Sequence, residues 1–70
     1  MHITMLSVEG MSCDHCVKAV KDAVSALPGV HGVMVDLSAK TATVEHDPVE
    51  APATKIIAAI EDQGYEAKVE

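Results

Sequence analysis

Cys13 and Cys16 are the only cysteines of the 70-residue chain, set three positions apart in the stretch Gly10-Met11-Ser12-Cys13-Asp14-His15-Cys16. A short alternating apolar run precedes this stretch and a helix-periodic segment follows it. A C-x-x-C at a strand-to-helix junction puts two sulfurs at a helix N-terminus. Unpaired backbone N–H groups and the positive end of the helix dipole there favour thiolate over thiol. Two thiolates so placed can hold one soft ion. Monovalent copper is satisfied by two sulfurs in a near-linear arrangement, whereas a structural zinc site takes four ligands. The chain has no second C-x-x-C, and His2, His31 and His46 fall on or beside strand-like runs rather than at ligand spacing from the cysteines. A closed zinc site is therefore not expected. A two-coordinate ion stays open to another protein's thiolates, which suits transfer better than storage.

The neighbours of the pair each admit two readings. His15 is either a third ligand or, as a residue between the two cysteines, a solvent-facing side chain, and the second is preferred. Met11 carries a soft sulfur, but Met is more often a core filler, and it is read as an inward-turned plug that sets the angle of the loop. Asp14 is the expected N-cap of the following helix. Cys16, inside the first turn, should feel the unpaired N–H groups and ionise readily. Lys18 and Lys21 form a solvated helix face and are the nearest positive pair to the loop. A disulfide between Cys13 and Cys16 would close so short a loop that it adds only about 2 kcal/mol, a poor staple for the fold.

The elements that must position this loop follow from periodicity. Residues 3–8 alternate as a strand, with Thr4, Leu6 and Val8 on one face and Ile3, Met5 and Ser7 on the other. Val17, Val20, Val24 and Leu27 form one stripe of an amphipathic helix, stopped by Pro28-Gly29. Residues 30–37 form a second strand with Val33, Val35 and Leu37 inward. A short turn at 38–40 leads to a third strand over 41–46, with Ala42 and Val44 inward. Residues 47–51 connect to a second helix with Pro52 in its first turn and Ile56, Ile57 and Ile60 buried, ended by Gly64. Tyr65, Ala67 and Val69 alternate as a last strand. The order βαββαβ closes into a four-stranded antiparallel sheet with two helices on one face.

One domain over residues 1–70 is expected. A chain of this size buries only about 60% of its unfolded surface. With one Tyr and no Trp or Phe, the core must be aliphatic. The net charge of −6, from five Lys, no Arg and eleven acidic residues, argues against nucleic acid or an anionic membrane as partner. The first strand starts almost at Met1, so no signal peptide is expected, and the apolar runs are far short of the ~18 residues that cross a membrane. A cytoplasmic location is the expectation. In a reducing compartment two cysteines serve as a metal or redox site rather than a structural disulfide.

Gly10-Met11-x-Cys13-x-x-Cys16 between the first strand and first helix of a βαββαβ chain resembles the heavy-metal-associated domain. Leu27-Pro28-Gly29-Val30 and Gly64-Tyr65 fit the same pattern. The resemblance implies an α+β, ferredoxin-like sandwich, Cu(I) bound by Cys13 and Cys16, and delivery to the metal-binding domains of a copper-transporting P-type ATPase, without catalysis. Within the family the chain is similar to the bacterial copper chaperones, whose Tyr beside the metal loop matches Tyr65. Tyr65 would pack under the loop, shield the thiolates with its hydroxyl, or both. The implied carrier is a monomer when metal-free, able to share copper between two loaded copies with His15 as an extra ligand, and meets a membrane only through its partner. The alternatives are an N-terminal metal-binding domain of such an ATPase, for which a starting Met and a compact end at Glu70 are the less expected features, and a carrier of zinc or mercury. Zinc-type relatives often place Asp where this chain has Ser12. A thiol oxidoreductase would usually read Trp-Cys-Gly-Pro-Cys instead of Ser12-Cys13-Asp14-His15-Cys16.

Overall fold

A computed structural model describes residues 2–70; Met1, which the single expected domain includes, lies outside the described residues. The elements run β1 (His2–Glu9), α1 (Asp14–Ser25), β2 (Val30–Asp36), β3 (Thr41–His46), α2 (Ala53–Asp62) and β4 (Glu66–Val69). The strands form one sheet in the order β2-β3-β1-β4, every pair antiparallel. This is the expected ferredoxin-like sandwich. Helix α1 packs against β2, α2 against β4, and the two helices against each other.

Alternation decides which side is dry. Leu6 and Val8 of β1, Ala42 and Val44 of β3 and Ala67 of β4 meet Val20 and Val24 of α1 and Ile56 and Ile60 of α2 in a single aliphatic cluster. Val17 of α1 and Ile57 of α2 pack on its margin, and Leu27, expected on the α1 stripe, packs there from beyond Ser25, where the helix ends. The opposite side of the sheet carries Ile3, Met5 and Met34, all exposed.

Three local features depart from simple periodicity. In β2, Val30 pairs with His46 and Gly32 with Glu45, so His31 is an inserted residue. This bulge lets Val30 as well as Val33 and Val35 turn toward the core. Pro52, expected inside the first turn of α2, is its N-cap, with φ −66° and ψ 159°. Its carbonyl accepts from the N–H groups of Lys55 at 2.9 Å and Ile56 at 3.3 Å. A proline has no N–H to offer the helix, and its extended ψ starts the turn one residue later. The last strand opens at Glu66, with Tyr65 just outside it, after Gly64 has turned the chain at φ +94°.

His46 is the one buried polar side chain among the described residues, only 2% exposed. Its Nδ1 lies 2.6 Å from the carbonyl of Ala51 and its Nε2 2.7 Å from Thr4 Oγ1. A carbonyl only accepts, so Nδ1 donates to Ala51, and in the neutral ring Nε2 accepts the Thr4 hydroxyl proton. The ring thereby ties β1, β3 and the loop before α2, at the end of β1 away from the cysteines.

Candidate metal centre

The cysteine loop begins where Gly10 turns the chain out of β1 at φ +101°, a conformation that costs glycine little. A Cβ at Gly10 would stand 3.2 Å from Tyr65 Cδ1, so the missing side chain is also what admits the tyrosine ring beneath the loop. Met11 comes next and is 6% exposed, part of the aliphatic core. It anchors the loop from below.

Cys13, not Asp14, caps α1. Its backbone is extended (φ −157°, ψ 171°), and its carbonyl accepts from the N–H groups of Cys16 at 3.1 Å and Val17 at 3.2 Å. Asp14 is the first helical residue, and Cys13 makes no side-chain cap hydrogen bond. The physical reason for this correction lies in the spacing. The cap residue and the third helical residue face each other across the first turn. Placing Cys13 and Cys16 at those two positions turns both sulfurs to one side, 3.4 Å apart.

The two sulfurs sit in different surroundings. Cys13 is exposed and Cys16 half-buried against the core. The Cys16 thiol is lowered from 9.0 to about 6, first by the Ser12 backbone N–H, then by the Tyr65 hydroxyl and the Cys13 thiol, with the Cys13 backbone adding a little and burial opposing. The Ser12 hydroxyl also lies 4.0 Å from Cys16 Sγ. Tyr65 shows the reciprocal effect: donating a hydrogen bond to Cys16, together with burial and the nearness of both sulfurs, holds its own ionisation above the ordinary phenol value.

The structure thus brings together Cys13, Cys16 and Tyr65, with Met11 below them and His15 exposed beside them. Among the described residues no set of three or more His, Cys, Asp or Glu gathers as a metal cage. The arrangement offers two soft donors, one of them already disposed to be anionic, and leaves the remaining coordination positions to solvent or a visitor. The Ser12 backbone stands outside the expected site residues, and Gly10, part of the expected motif, adds the close approach to Tyr65. Gly10 carried a readable signal, a glycine directly after a strand. The Ser12 N–H carried none, because any non-proline residue would supply it.

Comparisons with known proteins agree with this geometry. The family model described as heavy-metal-associated domain matches residues 5–66. The chain is 51% identical over 61 residues to a Bacillus subtilis protein named copper chaperone CopZ, covering 87% of this chain and 88% of that one. A solved structure titled CopZ metallochaperone superposes with a TM-score of 0.92 at 37% identity, covering 96% of this chain and 100% of the other. Over 66 residues, 94% of this chain, it is also 39% identical to human copper-transporting ATPase 2, of which the matched part is 4%. With a two-sulfur loop, its fold and its motif all in the same register, the chain belongs to the heavy-metal-associated domain family.

Proposed function

We propose that this protein is a cytoplasmic copper chaperone that holds one Cu(I) between Cys13 and Cys16 and passes it by thiolate exchange to the metal-binding domains of a copper-transporting P-type ATPase. The observation that carries the reading is the pair of sulfurs 3.4 Å apart on a loop with no third protein ligand gathered among the described residues. Its relatives named copper chaperone CopZ support copper as the cargo. The likeness to copper-transporting ATPases supports a partner built from the same module. No helix among the described residues is long and apolar enough to cross a membrane.

Transfer needs no catalytic group. A partner thiolate attacks copper, the ion passes through a three-coordinate state, and one sulfur of the carrier leaves. Cys13 is exposed and Cys16 half-buried, so the incoming thiolate reaches the copper from the Cys13 side and Cys13 departs first. The metal-free carrier is a monomer. Two loaded copies share copper through their open coordination positions, with the exposed His15 as an added ligand. Sedimentation at rising copper should show cysteine-dependent association that weakens in His15→Ala, and a strictly monomeric loaded protein would remove this part of the reading.

The deciding experiment is a competition titration of the reduced protein with a strong Cu(I) chelator, run beside one with Zn(II). The expected result is one tightly held Cu(I), lost in Cys13→Ser and in Cys16→Ser while cooperative unfolding persists. Stoichiometric copper retained by the double variant, or tighter zinc than copper, would overturn the assignment. A second reading, a metal-binding domain of an ATPase itself, is favoured by the 39% identity to human copper-transporting ATPase 2. It predicts that the domain accepts copper from a carrier and occurs joined to a membrane-spanning chain.

A further inference from the structure

The side of the sheet turned away from the helices has a chemistry of its own. Ile3, Met5 and Met34 are 66%, 49% and 72% exposed there. The register gathers them: Met5 and Met34 pair with Thr43 from its two sides, and Ile3 pairs with Glu45, whose other partner is Gly32. Ile3, Met34, Gly32, Thr43 and Glu45 line an open depression of about 350 Å³. Gly32 keeps its floor low, and a Cβ there would stand 3.2 Å from Glu45 Oε1, so the carboxylate leans over the depression. Strand alternation sets Glu9, Asp36, Glu45, Glu66 and Glu70 on this same face. Among the described strand residues Lys68 is the one cation beside them.

Charge selects the occupant. A second copy would set these five carboxylates against five more, and nucleic acid or an anionic lipid surface is repelled in the same way. From the juxtaposition of an apolar strip with an acidic rim, we infer that this face docks a cationic segment of a partner protein in which Lys or Arg alternates with aliphatic residues. The aliphatic side chains lie along Ile3, Met5 and Met34, and the cationic heads reach Glu45, Glu70 and Asp36. Long basic side chains satisfy both demands, since their stems cover apolar surface while their heads stay hydrated. The two thioethers adapt to the shape of what they meet. Because the face lies across the sheet from α1 and α2, its occupation leaves Cys13 and Cys16 free, and the inference stands independently of the metal assignment.

The test is a titration of the isotope-labelled full chain with a short synthetic peptide alternating Lys and Leu, followed by backbone amide shifts at low and raised salt. Shifts should concentrate at Met5, Gly32, Met34, Thr43 and Glu45 and weaken as salt rises. Met34→Ser and Glu45→Gln alter exposed side chains and should leave the fold intact. Met34→Ser should bind the peptide about tenfold more weakly, the equivalent of ~1.4 kcal/mol of lost apolar contact. Glu45→Gln should flatten the salt dependence. Equal affinity in Met34→Ser, shifts spread over α1 and α2 or centred on Cys13, or loss of bound Cu(I) on peptide addition would each overturn the proposal. Self-association of the free protein abolished by Met34→Ser would overturn it as well, by making the occupant a second copy.

Discussion

Tyr65→Phe removes a single hydroxyl, and its effect should be read on another residue, the sulfur of Cys16. That thiol is lowered from 9.0 to about 6. At pH 7 a group titrating at about 6 is thiolate in about ten molecules for every thiol, whereas one at 9.0 is thiolate in about one of a hundred. The Ser12 backbone N–H is the largest cause and survives the substitution, and the Tyr65 hydroxyl is the second. The variant should therefore titrate above 6 yet short of 9.0. Thiolate absorbance against pH, measured in a Cys13→Ser background with and without Tyr65→Phe, isolates the one sulfur. The same shift has a consequence for stability. The unfolded chain takes up its Cys16 proton near 9.0, and the folded chain only near 6. Above about 9 both states carry thiolate, and the stabilisation is present in full. Between 9 and 6 the unfolded state alone binds the proton, so stability falls as pH falls, and below about 6 the contribution is gone. Subtracting the Cys16→Ser profile of denaturant stability from that of the parent should expose this slope, shallower in Tyr65→Phe. Identical titrations with and without the hydroxyl would refute the proposed hydrogen bond.

Three further perturbations separate support from chemistry. Met11→Ala should cost about 2–5 kcal/mol in urea unfolding, as for other buried side chains cut back to Ala. Met11→Leu should cost less than about 1.5 kcal/mol and hold copper as well as the parent. If the Leu variant loses copper at unchanged stability, the sulfur is a ligand and not a plug. His46→Leu strands the buried Ala51 carbonyl, at about 1–3 kcal/mol, and leaves the half-buried Thr4 hydroxyl to water, without altering copper affinity. Unchanged thermal stability would show that this tie contributes nothing. Gly10→Ala places a Cβ 3.2 Å from the Tyr65 ring at a φ of +101°. It should cost about 1–2 kcal/mol from the backbone alone and raise the Cys16 titration in the same direction as Tyr65→Phe. A Cys16 value still at about 6 would show that the ring does not depend on that close approach.

Much of this molecule is written in local patterns. Period-two alternation in β1 and β3 reports which residues face the core. The spacing of Val17, Val20, Val24 and Leu27 reports a helix, and Gly64 ends the second one where a left-handed residue is needed. The C-x-x-C was readable for the same reason, since a fixed offset at the start of a helix brings two side chains to one side whatever the remainder of the chain does. Even so, capping preference alone places the cap one position late, at Asp14. Asp has the stronger capping preference, but the turn that aligns the sulfurs opens on Cys13.

Tertiary pairing decided the rest. No local pattern says that Tyr65 meets Cys16, because that contact depends on β4 lying beside β1. The bulge at His31 brings Val30 inward only through the register of β2 on β3. His46 looks from its neighbours like one more strand-end histidine. It is buried because Thr4 and Ala51 offer its two nitrogens partners from distant segments. Ile3, Met5 and Met34 become one strip only when β1 and β2 flank Thr43. Sequence periodicity encodes which side of its own element a residue occupies. Which residues it then meets across a sheet is set by register and strand order, which arise when the whole core closes at once.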